Sequence, residues 1–313
     1  MTLFPVVRQR RHERHGMRTL EFAPRRISLL MVLLAFPLVV VAGQTPKANE
    51  PVLYQDAFVK VISPDKLSVQ EAKAAAKKVM AAWEFDLKLM RWSNPKEITR
   101  PFTLRVISDE RMQQESGSSR AFATINRFNV RMSVFHDPGA GLTFAHELGH
   151  LQAARALGKY DAPRIFAEGH GLMMNQLYAD HIGYDRHKGG TAQVRVVMKM
   201  TADEAKALLT DDGYRHIGTP AERERKGEYM ECLGFYFVEY LRSRKGITDA
   251  VPMMGRVFEQ MGQGKTFEQA FAQTYGVSYN KVVSELVAHF KRTEANPAER
   301  VKGTRLEEYL PVS

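Results

Sequence analysis

The chain has one cysteine, Cys232, in 313 residues. No intramolecular disulfide can form, and no lipid-carrying cysteine follows the N-terminal apolar run, so stability must come from a core of sufficient size. Cys232 lies in "CLGFYFVEYL" and is expected to be a buried small hydrophobe, not a reactive thiol. No internal repeat is visible. No Lys/Arg run is interleaved with aromatics and no nucleic-acid-binding motif is recognisable, so the formal charge of +10 and the pI near 9.6 do not point to a nucleic-acid partner. Half of that charge sits in the first 26 residues, which carry seven Arg against two Glu. With 44% apolar residues, the rest is globular in composition.

Residues 27–43, "ISLLMVLLAFPLVVVAG", are uncharged and follow Arg25 and Arg26 directly. Basic, then apolar, then small residues is the plan of a signal peptide, with Val41 and Gly43 at the small-residue positions of a cleavage site. A start at Met17 would shorten the leader to a more usual length. The run is short for a spanning helix and contains Pro37, so cleavage is expected over retention as a membrane anchor through residues 27–43. In either form the basic side stays in the cytoplasm and the remainder is exported, periplasmic or secreted.

Beyond the leader (residues 1–43), residues 44–66 read as a linker. Residues 67–158 read as a mixed lobe and residues 159–313 as a helical one. "LSVQEAKAAAKKVMAAWEFDLKLMRW" is a long helix opened by Ser68, with Glu71 completing a capping box. "FTLRVIS" from Phe102 and "FNVRMSVF" from Phe128 alternate as half-buried strands do. "AFATI", separated from the second by "NR", is expected to pair with it as a hairpin. A "DPGAG" loop leads into a helix that should stop at Gly158. Thr201 with Glu204 and Thr266 with Gln269 are further capping boxes, and "YMECLGFYFVEYLRSRKG" is an apolar helix ending at Gly246.

Within "LTFAHELGHLQAARALG", His146 and His150 stand four apart, on one helix face, and can present both imidazoles to a single ion. Glu147, about 100° round the helix, flanks that ion. There it is placed to take a proton from water whose pKa a zinc ion lowers, and to pass it to a leaving amine. The competing reading is two histidines on a helix surface. A metzincin site would need Gly and His three and six residues after His150, where Ala153 and Ala156 stand, so that class is excluded. A following helix offers Glu168, with 17 residues between it and His150, enough chain to turn and return antiparallel. His170 competes as third ligand, but residues two apart point to different faces, so only one of the pair can reach the ion. Two histidines and one carboxylate leave a fourth zinc position open for water.

These motifs resemble those of the gluzincin metallopeptidases, specifically the peptidase MA-like bacterial families, which pair "HELxH" with P-x-W-[LF]-x-E-G-x-A. Here "PRIFAEGHG" matches at Pro163, Phe166, Glu168 and Gly169, while Ile165 replaces the tryptophan and Gly171 the alanine. "FVEYLRSRKG" and "KTFEQAFAQTYGVSYNKVVSELVAHF" are similar to the last helices of that family, so the resemblance spans roughly residues 68–292. It implies an α+β, zincin-like fold of two lobes. The first holds the active-site helix beside a small sheet, and the second, all helical, supplies the third ligand. It implies one Zn2+ held by His146, His150 and Glu168, a peptide or protein substrate, and Glu147 as general base and then acid. His170 would line the substrate cleft or lie at the surface.

Such catalysis needs a donor for the developing oxyanion. The related families often place a tyrosine about ten residues before the leucine corresponding to Leu241, where Glu231 stands here. Tyr229 and Tyr236 lie nearby and are the candidates, with Tyr214 and His216 in the preceding insert. Asp180 or Asn175 could orient a zinc-bound histidine. Without a donor, the alternative is a catalytically weak or inactive envelope scaffold or binding protein on the same fold.

Overall fold

The computed structural model describes residues 50–310, apart from 117–120, 138, 159–161, 186, 211–219 and 245–248. The leader and its apolar run therefore lie outside the described residues. Two strands, β1 (Val52–Gln55) and β2 (Val59–Ile62), are antiparallel and joined by a turn in which the Asp56 carboxylate accepts the backbone N–H of Phe58 and Val59, each at 2.8 Å. Part of the stretch expected as a linker is thus sheet. Four-residue strands give too short an alternation to separate them from coil in the sequence.

Ser68 opens α1 (Val69–Met90) with the expected capping box, Ser68 and Glu71 each satisfying the other's backbone N–H. Ala72, Ala75, Ala76, Val79, Ala82 and Trp83 form its buried stripe. After the short α2 (Pro95–Ile98), β3 (Phe102–Ile107) lies parallel to β2, with α1 as the crossover. Following α3 (Asp109–Ser116), β4 (Ala121–Ala123) and β5 (Arg127–Arg131) form the expected hairpin. The turn, however, centres on Ile125 and Asn126, the Thr124 N–H donating to the Arg127 carbonyl at 2.7 Å. The strand expected over "FNVRMSVF" stops at Arg131, and Met132–His136 turn into a short helix, α4. The Asp109 carboxylate accepts the Ser133 N–H at 3.2 Å there, a partner that no local pattern reveals. The sheet order is β1-β2-β3-β5-β4.

Val59, Val61, Leu104, Val106, Phe128 and Val130 are buried on the sheet, with α1 and α5 (Ala140–Leu157) packed against it. Sheet, α1, α6 (Arg164–Ile182) and α10 (Ala250–Gly262) surround α5, which explains why its sequence is apolar nearly all round. It ends where expected, at Gly158 with φ +70°. Early α5 lies beside late α6, Gly141 against Tyr178 and Gly149 against Met174, so the two helices are antiparallel.

The remaining elements are α7 (His187–Lys199), α8 (Ala202–Thr210), α9 (Pro220–Ser243), α11 (Phe267–Tyr275) and α12 (Tyr279–Arg292), then short 3-10 turns at Pro297–Val301 and Arg305–Tyr309. The capping boxes at Thr201 and Thr266 are both present. The helix expected from Tyr229 begins at Pro220, and its expected stop, Gly246, lies outside the described residues. At Gly169 and Gly234, α6 and α9 cross so closely that a Cβ on Gly169 would come 2.4 Å from the Gly234 carbonyl oxygen. This crossing fixes α9 over the N-terminal half of α6, where Glu168 lies. The fold is α+β, and no described helix is long and apolar enough to cross a membrane.

Candidate metal centre

Three donors, half-buried His146 and buried His150 and Glu168, meet between α5 and α6. The Nε2 atoms of His146 and His150 are 3.0 Å apart, and Glu168 Oε2 lies 3.6 Å from the first and 3.3 Å from the second. Two of them come from one face of α5 and the third from the second turn of α6, which the antiparallel pairing brings alongside. A tetrahedral zinc ion with bonds of about 2.0–2.1 Å separates its ligand atoms by about 3.3–3.4 Å, and the observed edges bracket that length. Gly171 faces the same point: a Cβ there would sit 2.9 Å from both Nε2 atoms. The missing side chain keeps space open beside the donors. Two imidazoles and one carboxylate are a ligand set zinc accepts, so the residues present fit the ion.

Electrostatics tie the cluster together. Burial opposes a charge on His146, but the Glu168 carboxylate, with Glu147 and Glu231 nearby, outweighs it and raises the imidazole to about 9. Burial would raise Glu168, yet His150, His146 and Arg164 hold it well below the usual carboxylate range. Glu147 is lifted by burial against the pull of His146 and His150. The second oxygen of Glu168, Oε1, accepts from Arg164 Nη2 at 2.7 Å.

The other expected site residues fall elsewhere. His170 is completely buried, Nε2 3.4 Å from Met90 Sδ and the ring 5.3 Å from that of Phe258. Burial and the two neighbouring histidines push it down to about 3, so it is a neutral core residue, neither at a cleft nor at the surface. Tyr236 donates its hydroxyl to the Arg300 carbonyl at 2.5 Å and packs on Phe290, which removes it as an oxyanion donor. Tyr229 is half-buried on α9, two residues and so about 200° round the helix from Glu231. It is the charge of Glu231 that reaches His146. Asp180 lies three turns beyond Glu168 and is paired with Arg305 at 2.5 Å, so it does not orient a zinc-site histidine. Half-buried Asn175 is one turn past Gly171 and makes no hydrogen bond to His146 or His150 among the described contacts. Tyr214 and His216 lie outside the described residues.

Sequence reasoning passed over Arg164 as a site residue, although its spacing of four before Glu168 is the signal of a helical ion pair. No protein-family model matches the chain, and no curated protein matches it.

Proposed function

We propose that the chain is a gluzincin-type zinc metallopeptidase that hydrolyses peptide bonds, with a zincin-like fold of two lobes, residues 67–158 and 159–313. The observation that carries this reading is the convergence of His146 Nε2, His150 Nε2 and Glu168 Oε2 within 3.0–3.6 Å of one another, with buried Glu147 next in sequence to the first. Zinc in this position supplies a Lewis acid that polarises a carbonyl and brings the pKa of water down toward 7.

The chain's own residues supply the rest. His146 and His150 donate neutral nitrogens, so the proton that Glu168 stabilises on His146 must leave first. Glu168 contributes the anionic oxygen. Glu147 takes the proton of the attacking water and returns it to the leaving amine, and burial, by raising its carboxyl, makes it a stronger proton acceptor than an exposed carboxylate. β4, at the edge of the sheet and in contact with α5, offers backbone groups to an extended peptide.

Export by the leader, cleaved or retained as an anchor through residues 27–43, places this activity in the periplasm or outside the cell. A second reading, an envelope scaffold or binding protein on the same fold, is favoured by two observations: the Tyr236 hydroxyl is committed to Arg300, and Glu231 stands where the families it resembles often carry tyrosine. Glu147→Gln separates the two. It keeps shape and metal while removing the base, and hydrolysis of a broad pool of unfolded peptides should fall at least about a hundredfold. Equal cleavage by zinc-loaded wild type and Glu147→Gln, or none by either, would favour the scaffold.

A further inference from the structure

We infer that Arg164 is a positioning residue that restricts Glu168 to ligation through one oxygen, and so keeps the remaining coordination position clear. This rests on the metal-site reading. The two carboxylate oxygens of Glu168 have divided partners. Oε2 lies 3.3 and 3.6 Å from the histidine nitrogens, while Oε1 accepts from Arg164 Nη2 at 2.7 Å. A carboxylate can bind a metal with one oxygen or both, and binding with both would crowd the place water needs and take the site from four- to five-coordinate. A charge-assisted bond from a planar, permanently charged guanidinium competes directly with the ion for Oε1.

Two further observations set this pair apart from an ordinary surface ion pair. Glu168 has only 7% of its side chain exposed against 39% for Arg164, so the arginine reaches inward from the rim to a carboxylate that solvent barely touches. Arg164 is also the first residue of α6, directly after Pro163, and that turn carries no acidic residue. A cation at a helix N-terminus opposes the helix dipole. Its place is therefore explained by Glu168 and not by helix stability. Removing such a partner of a ligand typically weakens metal binding about 10–100-fold.

The test uses the full chain loaded with Co2+ in place of zinc, because cobalt in a four-coordinate site absorbs visible light far more strongly than in a five-coordinate one. Wild type should take up one equivalent with strong absorption. Arg164→Ala should still bind cobalt, about 10–100-fold more weakly, with absorption reduced severalfold. Arg164→Lys, which restores a charged donor, should recover most of it. If Arg164→Ala does not fold, Arg164→Gln, uncharged but similar in length, is read in the same way and should lose absorption too. An unchanged spectrum and affinity in the folded variant would overturn the inference while leaving the metal site standing. Failure of wild type to bind cobalt or zinc would instead overturn the site itself, and the inference with it.

Discussion

Two acidic side chains, Glu168 on α6 and Asp86 on α1, are buried in neighbouring parts of the same helix packing and are held in opposite states. Burial alone raises both carboxyls. Glu168 faces two imidazoles and a guanidinium and is held well below the usual range. Asp86 is completely buried, no described donor reaches either of its oxygens, and it is held well above. A lone acid in an apolar core is neutral and unfavourable, whereas an acid among cationic donors is a ready metal ligand. The difference lies in neighbours brought by other helices, which is why burial is a poor guide to function and the partner set a good one.

The largest effect should come from removing the charge at the first of these sites. Glu168→Gln removes the charge of the proposed third ligand, so zinc affinity should drop by more than the roughly 10–100-fold cost of losing an outer partner. The same substitution should lower the His146 titration from about 9 toward or below its ordinary value, followed by NMR of the metal-free protein. A His146 titration left near 9 would show that Glu168 is not its partner.

The second effect concerns pH. A histidine raised in the folded state stabilises the fold fully below its unfolded value of 6.5, and that contribution is lost as pH rises through about 9. Metal-free wild type should therefore lose up to about 3 kcal/mol across that window, and His146→Ala should not. Zinc affinity should move the other way, increasing with pH to about 9 as the competing proton leaves. A flat melting temperature across this range would break the comparison on the Glu168 side.

Asp86 gives the next effect, with the opposite lesson. Its raised carboxyl makes folding less favourable as pH climbs above the unfolded value of 3.8. Asp86→Leu should therefore stabilise the chain at neutral pH by about 1–3 kcal/mol, with the gain shrinking in acid. Urea unfolding at two pH values reads both. Destabilisation by leucine would mean that Asp86 has a partner and resembles Glu168 after all. The smallest effect is steric. Gly234→Ala would place a Cβ 2.4 Å from the Ile165 carbonyl oxygen, forcing α9 away from α6 at a cost of about 1–3 kcal/mol.

What could be read in the sequence was local. The capping boxes at Ser68, Thr201 and Thr266, the stop at Gly158 and the pairing of His146 with His150 all depend on spacings of a few residues. Spacing alone left Glu168 and His170 both open as third ligand, and it was the resemblance of "PRIFAEGHG" to the gluzincin motif that pointed to Glu168. The misreadings concern residues whose partners are distant in the chain. Tyr236 is bound by Arg300, 64 residues on, and His170 meets Met90, 80 residues back. Asp180 is drawn off by Arg305 from the last 3-10 turn. Short β1, β2 and α4 escaped because their length carries no period, and their place is set by the neighbours they join.

The central claim, a zinc ion held by His146, His150 and Glu168 with Glu147 outside the ligand set, is tested most directly by the metal content of the purified chain. Wild type and Glu147→Gln should each hold one zinc per chain after dialysis against a weak chelator, and His146→Ala and Glu168→Gln should hold none. Zinc absent from wild type, or retained equally when His146 or Glu168 is replaced, would contradict it.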